Sequence, residues 1–136
     1  MAGNAVANPI DPAAEANNLA NLLYDLSEAV DDFRLANRDP PLNPTDAGRL
    51  KDEAQALDDR AHYFTAQAIG ATLQAIQANL TDIKALTAEA QNQVNNLNSV
   101  EKVIMIATSV LSLGTAIAAG NVPSILAAAN ALDSTL

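Results

Sequence analysis

The sequence contains no cysteine and no tryptophan, and aromatic residues make up only 3% of its 136 residues. Without cysteine, disulfides, thiol catalysis and cysteine-ligated metal sites are excluded. The shortage of aromatics leaves Ala, Leu, Ile and Val to build the core, whereas a β-sheet protein draws on Tyr, Phe, Trp and Thr. The five glycines are also too few for the turns of a β-sandwich. Because Ala and Leu stand high in helix propensity, the composition predicts an all-α fold.

Basic residues are scarce as well. Seven Lys and Arg face 16 Asp and Glu, for a formal net charge of −9. An acidic surface repels phosphate backbones and no basic cluster offsets it, so we expect no nucleic-acid partner. The sequence shows no Sec-type signal peptide and no clear transmembrane helix. We therefore expect a cytoplasmic protein or one secreted by a route that leaves no cleaved signal.

The apolar spacing predicts a flexible N-terminal arm over residues 1–11 and one helical bundle domain over residues 12–136. The first helix is expected at about 12–37, with Asp11 as its N-cap and Pro12 in its first turn. Three prolines within 40–44 exclude a helix there, and Asn43 or Thr45 is expected to cap the next one. Because the connector is short, the second helix should run antiparallel to the first.

A long helical segment is predicted over residues 46–97. Its apolar stripe changes phase between Phe64 and Ile69, as in a coiled-coil stutter or at a turn. A break is therefore expected either near Gly70 or at 79–82, where Thr81 can cap a new helix. Since no proline interrupts the segment, a continuous or gently kinked helix is the preferred interpretation. Such a helix would be roughly 78 Å long at 1.5 Å per residue, and its exposed stripe would favour a homodimer.

The last third of the chain differs in character, because no charged residue lies between Lys102 and Asp133. Two helices are predicted there, at 99–119 and 122–133, with Gly120 as a C-cap between them. The whole is expected to form an up-and-down bundle of about four antiparallel helices, with 99–119 at its centre. Ala107 and Gly114 are small enough to let another helix approach closely.

The lone histidine provides the strongest candidate for chemistry. Asp58, Asp59 and His62 are spaced to share one helix face, but a carboxylate-bridged di-metal site needs this motif twice. No Gly-x-Ser-x-Gly turn and no glycine-rich phosphate loop accompanies them. The sequence thus predicts neither an enzyme nor a metal or cofactor site, and assigns no catalytic residue.

We expect a non-enzymatic protein-interaction or structural module, for example a bacterial secreted accessory protein or antigen, whose protein partner the sequence does not identify. The alternative is a membrane-active, toxin-like protein, because the uncharged helices of 103–132 resemble the buried hydrophobic hairpin of helical pore-forming toxins. Membrane insertion is the less favoured hypothesis, since the segment 103–119 is shorter than the roughly 20 residues that a helix needs to span the hydrocarbon core of a membrane. The apolar residues expected to form an interaction surface are Ile69, Leu73, Ile76, Leu80, Ile83, Val103, Ile106, Val110, Leu113 and Ile117.

Overall fold

The computed structural model describes residues 10–36 and 42–136, and within them the protein is an all-α bundle without β-strands. Its helices are α1 (Pro12–Ala36), α2 (Pro44–Tyr63), α3 (Ala66–Ala75), α4 (Leu80–Asn96), α5 (Val100–Ala119) and α6 (Val122–Thr135), with a 3-10 turn at Gln77–Asn79. The all-α prediction is therefore confirmed. The described helices are more numerous than the four expected because the segment 46–97 is divided into α2, α3 and α4.

Short polar side chains cap the helices, and the caps at Asp11 and Asn43 agree with the sequence prediction. The carboxylate of Asp11 accepts hydrogen bonds from the backbone N–H groups of Ala13 and Ala14, at 3.1 and 3.3 Å. Asn43, Ser99 and Asn121 begin α2, α5 and α6 in the same manner. Each cap satisfies an N–H group that has no partner inside its helix. Residues 1–9 of the predicted arm and 37–41 of the connector lie outside the described residues.

The preferred continuous helix over 46–97 is wrong, and its first break lies at Phe64 and Thr65. Phe64 leaves the helix with ψ 89°, and extended Thr65 caps α3 by accepting a hydrogen bond from the N–H of Ala68 at 3.1 Å. In one straight helix, Phe64 and Ile69 would point about 140° apart, because each residue turns the chain by about 100°. The break lets both side chains enter the core, where they are 4% and 0% exposed. Ala68, which follows Phe64 at the heptad spacing of four, is exposed instead.

The second break lies at Ile76–Asn79. Ile76 has φ −104° and ψ 17°, and the N–H of Asn79 donates to its carbonyl oxygen at 2.8 Å. The chain then resumes as α4 at Leu80, which agrees with the break expected near 79–82. Thr81 lies inside α4 rather than capping it, and Gly70 lies inside α3. The polar run Gln77–Asn79 thus forms the turn, while Ile76 and Leu80 on either side remain buried.

Helix α5 contacts each of the other five helices, as expected of a central element. Contacts between α1 and α2 run in opposite directions, since Tyr24 meets His62 while Ser27 meets Ala54, so this pair is antiparallel. Between α2 and α5 they advance together, with Glu53 at Thr108 and Arg60 at Gly114. These two helices therefore run in the same direction, which a simple up-and-down order does not provide.

Gly114 allows α2 to approach α5 closely, as its small size predicted. A Cβ atom placed on Gly114 would lie 3.1 Å from Cγ of Arg60, which is tighter than ordinary van der Waals contact. The Arg60 stem therefore covers the glycine, and its guanidinium lies 5.8 Å from the ring centroid of Tyr63. The methylene stem packs inside, and the Nε atom of Arg60 is buried without a hydrogen-bond partner among the described residues.

Candidate functional site

The ten apolar residues expected to form an interaction surface lie in the core of the single chain. Five belong to the segment from Ile69 to Ile83 and five to α5, and none of the ten is more than 2% exposed. They pack in one cluster with the stripes of α1, α2 and α6. In this folded form they are not accessible to another molecule, so their role in an interface would require the bundle to open. The exposed stripe that favoured a homodimer is likewise absent from the described fold.

His62 lies on the surface and its ring nitrogens have protein partners. Nδ1 donates to the carbonyl oxygen of Asp58 at 2.9 Å, which in the neutral ring leaves Nε2 to accept from the Tyr24 hydroxyl, also at 2.9 Å. The Asp58 carboxylate lies 4.0 Å from Nδ1. Among the described residues, no group of three or more His, Cys, Asp or Glu side chains could hold a metal ion. The geometry joins α1 to α2 through the tyrosine and orients the imidazole.

Helix α5 has the length and composition needed to cross a membrane. It contains 20 residues, and its most apolar stretch has a mean hydropathy of 1.7 and is 44% buried within the bundle. The helix agrees with the predicted bounds of 99–119, and it reaches 20 residues by including Glu101 and Lys102 ahead of the uncharged segment 103–119. The exposed face of α5 carries no charge beyond Glu101: Met105, Thr108, Ser112, Thr115 and Ala119. A core helix of a soluble bundle has the same properties, so length and hydropathy alone decide nothing.

An open groove lies between α4 and α6 and is a candidate for binding. It has a volume of about 690 Å³. One wall is formed by Asn79, Asp82, Ile83, Ala85, Leu86 and Glu89. The other is formed by Leu126, Ala129, Asn130 and Asp133. The two helices contact each other only slightly, because α4 packs mainly on α1 whereas α6 packs mainly on α5. The groove therefore lies between two helices that have different main neighbours and do not close on each other.

The groove combines an apolar floor with an acidic rim. Leu86 and Leu126 are half-buried in it, between the buried Ile83 and Ala129, whereas its carboxylates are exposed. Asp82, Leu86 and Glu89 follow one another at helical spacings of four and three, as do Leu126, Asn130 and Asp133. Such spacing aligns side chains along one helix face. Each of the two helices thus contributes one leucine to the floor of the groove and polar side chains to its rim.

The carboxylates of the groove have no basic neighbour among the residues that line it. Glu89 accepts a hydrogen bond from Gln93, at 3.5 Å. Lys84, on the same helix, donates to Glu15 of α1 at 2.9 Å, and Lys102 donates to the backbone carbonyl of Thr135. Both lysines of the segment 63–136 are therefore occupied elsewhere. The negative charge of the groove stays uncompensated by the described chain.

Three other grooves in the described part of the chain differ in charge. Each contains at least one basic side chain: Arg49 between α2 and α5, Arg34 with Lys51 between α1 and α2, and Arg60 at the other end of the α2–α5 seam. Acids and bases therefore face one another in these places and offset their charges. The α4–α6 groove is distinguished from these by a single sign of charge around an apolar floor.

A scan against protein-family models, a search of curated proteins and a search of solved structures each found no match. The groove was not predicted from the sequence, although part of its signal was visible. Residues 63–136 hold only four acids, and three of them, Asp82, Glu89 and Asp133, line this groove. Their convergence depends on α4 and α6 lying side by side, which no local pattern reveals.

Proposed function

We propose that the protein is a non-enzymatic helical interaction module that binds a protein partner in the α4–α6 groove. The observation that carries the proposal is the apolar floor at Leu86 and Leu126 beneath carboxylates that have no basic partner. Protein interfaces combine an apolar centre with a polar rim, and this groove has that composition. Its volume of about 690 Å³ is enough to receive several side chains.

The absence of an assembled acid–base pair in the described residues supports the non-enzymatic part of the proposal. General acid–base catalysis needs a titratable group within hydrogen-bond reach of the proton it moves, in a site that excludes water. The imidazole of His62 is exposed and already bonded on both ring nitrogens. The groove carboxylates are exposed on a rim rather than enclosed. A binding role is compatible with an exposed imidazole and exposed carboxylates. A catalytic role would require these groups to move into a site that excludes water.

The experiment that tests the proposal places a photo-crosslinking amino acid at Ala85, which is exposed in the groove. The control places the same amino acid at Asn21, which is exposed on the polar face of α1 and does not line the groove. Irradiation of cells that naturally express the protein should yield a discrete protein adduct from position 85 and not from position 21. Equal adducts from both positions, or none from position 85, would contradict an interaction role for this groove.

A second candidate function is membrane activity through the hairpin of α5 and α6, and the 20-residue length and mean hydropathy of 1.7 of α5 favour it. Release of this hairpin would expose an uncharged surface, and acid would ease release by neutralising surface carboxylates. Dye leakage from phosphatidylcholine vesicles, with and without phosphatidylglycerol, should then rise at acidic pH.

The matched variant for this second candidate is Ser112→Arg, which adds to the exposed face of α5 a charge that persists at acidic pH, without touching the core. A charged residue near the centre of a membrane span costs about 2.5–3.5 kcal/mol to insert, so the variant should leak far less dye than the parent. An absence of leakage from the parent at both pH values, or equal leakage from parent and variant, would remove this candidate.

A further inference from the structure

We infer that the partner of the α4–α6 groove is a basic amphipathic helix of about three turns. This inference rests on the proposed interaction role and adds the chemistry of the occupant. The groove supplies a floor with two leucines and a rim with three carboxylates, Asp82, Glu89 and Asp133. A helix with Leu or Ile on one side and Lys or Arg at its flanks satisfies both parts at once.

Charge complementarity selects a basic occupant. The lining of the groove holds three acids and no base, and the nearby Lys84 and Lys102 donate to partners outside it. Basic side chains brought to this rim would gain partners that the chain itself does not provide, and their attraction would also speed the encounter. An acidic or neutral apolar segment would leave the same carboxylates unpaired.

The dimensions of the groove suit a short helix. From Asn79 to Glu89 the α4 wall spans roughly 15 Å, at 1.5 Å per residue. A helix of about ten residues has the same length and places apolar side chains on one face at spacings of three and four. Because Leu86 comes from α4 and Leu126 from α6, the apolar face of such a helix can contact both along the floor.

The acidic rim disfavours the other occupants. A second copy of this chain carries a formal charge of −9 and offers no basic cluster, so it would meet the rim with repulsion. Nucleic acids and anionic lipid surfaces are repelled for the same reason. Binding of any of these occupants in place of a basic helix would be a distinct experimental result.

The test measures binding of a fluorescent Leu/Lys peptide of about 14 residues, designed as an amphipathic helix, to the full chain by anisotropy. Two triple variants are compared. One, Asp82→Asn/Glu89→Gln/Asp133→Asn, removes the charge of the rim. The matched control, Asp25→Asn/Glu28→Gln/Asp32→Asn, removes the same charge from the exposed face of α1. Circular dichroism verifies that both variants remain helical.

The rim variant should weaken peptide binding at least about tenfold, and the α1 variant less than about twofold. Leu86→Ala/Leu126→Ala should weaken it by a similar factor, because it removes the floor. A peptide of identical composition with its leucines scattered round the helix should bind at least about tenfold more weakly to the parent. Equal weakening by the two charge variants would overturn the inference, and so would equal binding of the amphipathic and the scattered peptides. Either result would mean that binding depends only on the net charge of the protein.

Charge reversal provides a second measurement that does not depend on loss of binding. The variant Asp82→Lys/Asp133→Lys should prefer a Leu/Glu peptide over the Leu/Lys peptide, and unchanged preference would contradict the inference.

Failure of the basic-helix inference can be distinguished from failure of the proposed interaction role. A partner crosslinked from position 85, together with no binding of the basic peptide, would keep the interaction role and overturn the basic helix. Loss of both the adduct and peptide binding would overturn both, and self-association of the chain through position 85 would replace the basic helix with a second copy.

Discussion

Arg60 of α2 lies across Gly114 of α5, with its Cγ atom 3.1 Å from the point that a Cβ of residue 114 would occupy. The glycine therefore serves the approach of two parallel helices rather than a turn, since both residues lie within regular helices. A glycine inside a helix costs about 1 kcal/mol relative to alanine. That cost is tolerated here because the closer approach lets the Arg60 stem pack against α5.

This relationship predicts coupling between the two positions. Gly114→Ala should stabilise the Arg60→Ala variant by about 1 kcal/mol more than it stabilises the parent protein. In the parent, the close contact of the new Cβ with Cγ of Arg60 offsets the gain in helix propensity. In the Arg60→Ala variant this contact is absent and the gain remains. A double-mutant cycle of urea unfolding measures this difference. Gly48→Ala is the control, since nothing lies within 4 Å of a Cβ at Gly48, and its effect should not depend on Arg60. Additive effects at 60 and 114 would show that the close approach does not exist.

The break between α2 and α3 should depend on Thr65. Thr65→Ala removes the hydroxyl that accepts from the N–H of Ala68, and the loss of such a cap costs about 0.5–2 kcal/mol of unfolding free energy. Thr81→Ala is the matched control, because Thr81 is exposed inside α4 and should be neutral or slightly stabilising when replaced by a better helix former. If Thr81→Ala were the destabilising change, the cap and the break would lie at the wrong place.

Adjacent residues of α5 should respond very differently to truncation. Ile106 is fully buried, so Ile106→Ala should cost about 2–5 kcal/mol through lost burial and the cavity left behind. Met105 is 50% exposed, and Met105→Ala should change stability by no more than about 0.5 kcal/mol. Thermal and urea unfolding of both variants measure this contrast. Similar losses at the two positions would mean that both faces of α5 are covered, in disagreement with the described fold.

The ion pair between Glu15 and Lys84 should stabilise the packing of α1 on α4. The Glu15 and Lys84 side chains are only 16% and 30% exposed, and their charged atoms lie 2.9 Å apart. A double-mutant cycle with Glu15→Gln and Lys84→Met should therefore give a coupling energy of about 1 kcal/mol. This coupling energy should fall in high salt. The Asp31–Arg34 pair lies within one helix and is more exposed, so its cycle should give less, about 0.3–0.5 kcal/mol. Equal coupling energies in the two cycles would argue against the close α1–α4 contact.

The helix ends were predictable because their signals are local. Asp11, Asn43, Ser99 and Asn121 each cap a helix with their own side chains, and Gly120 adopts the left-handed conformation, φ 76°, that ends α5. These interactions involve residues two to four positions apart, so the sequence contains all that determines them.

The breaks inside 46–97 were harder to predict because they depend on tertiary burial. The phase change between Phe64 and Ile69 is visible in the sequence, but a stutter and a turn produce the same pattern. The structure adopts the turn, which buries both side chains against other helices. For the same reason the sequence predicts an interaction surface of ten apolar residues, and folding back of the chain buries these residues in its own core. The α4–α6 groove likewise exists only once α4 has packed on α1 and α6 on α5.

Small-angle X-ray scattering most directly tests the central claim, which is that residues 46–97 fold back into a compact bundle instead of forming one long helix. A compact chain of 136 residues has a radius of gyration of about 14 Å, and the account predicts a value near this with the monomer mass of 14.1 kDa. A continuous helix over the same segment, roughly 78 Å long, would give about 22 Å or more. A value in that range, or a dimer mass with an elongated profile, would contradict the account.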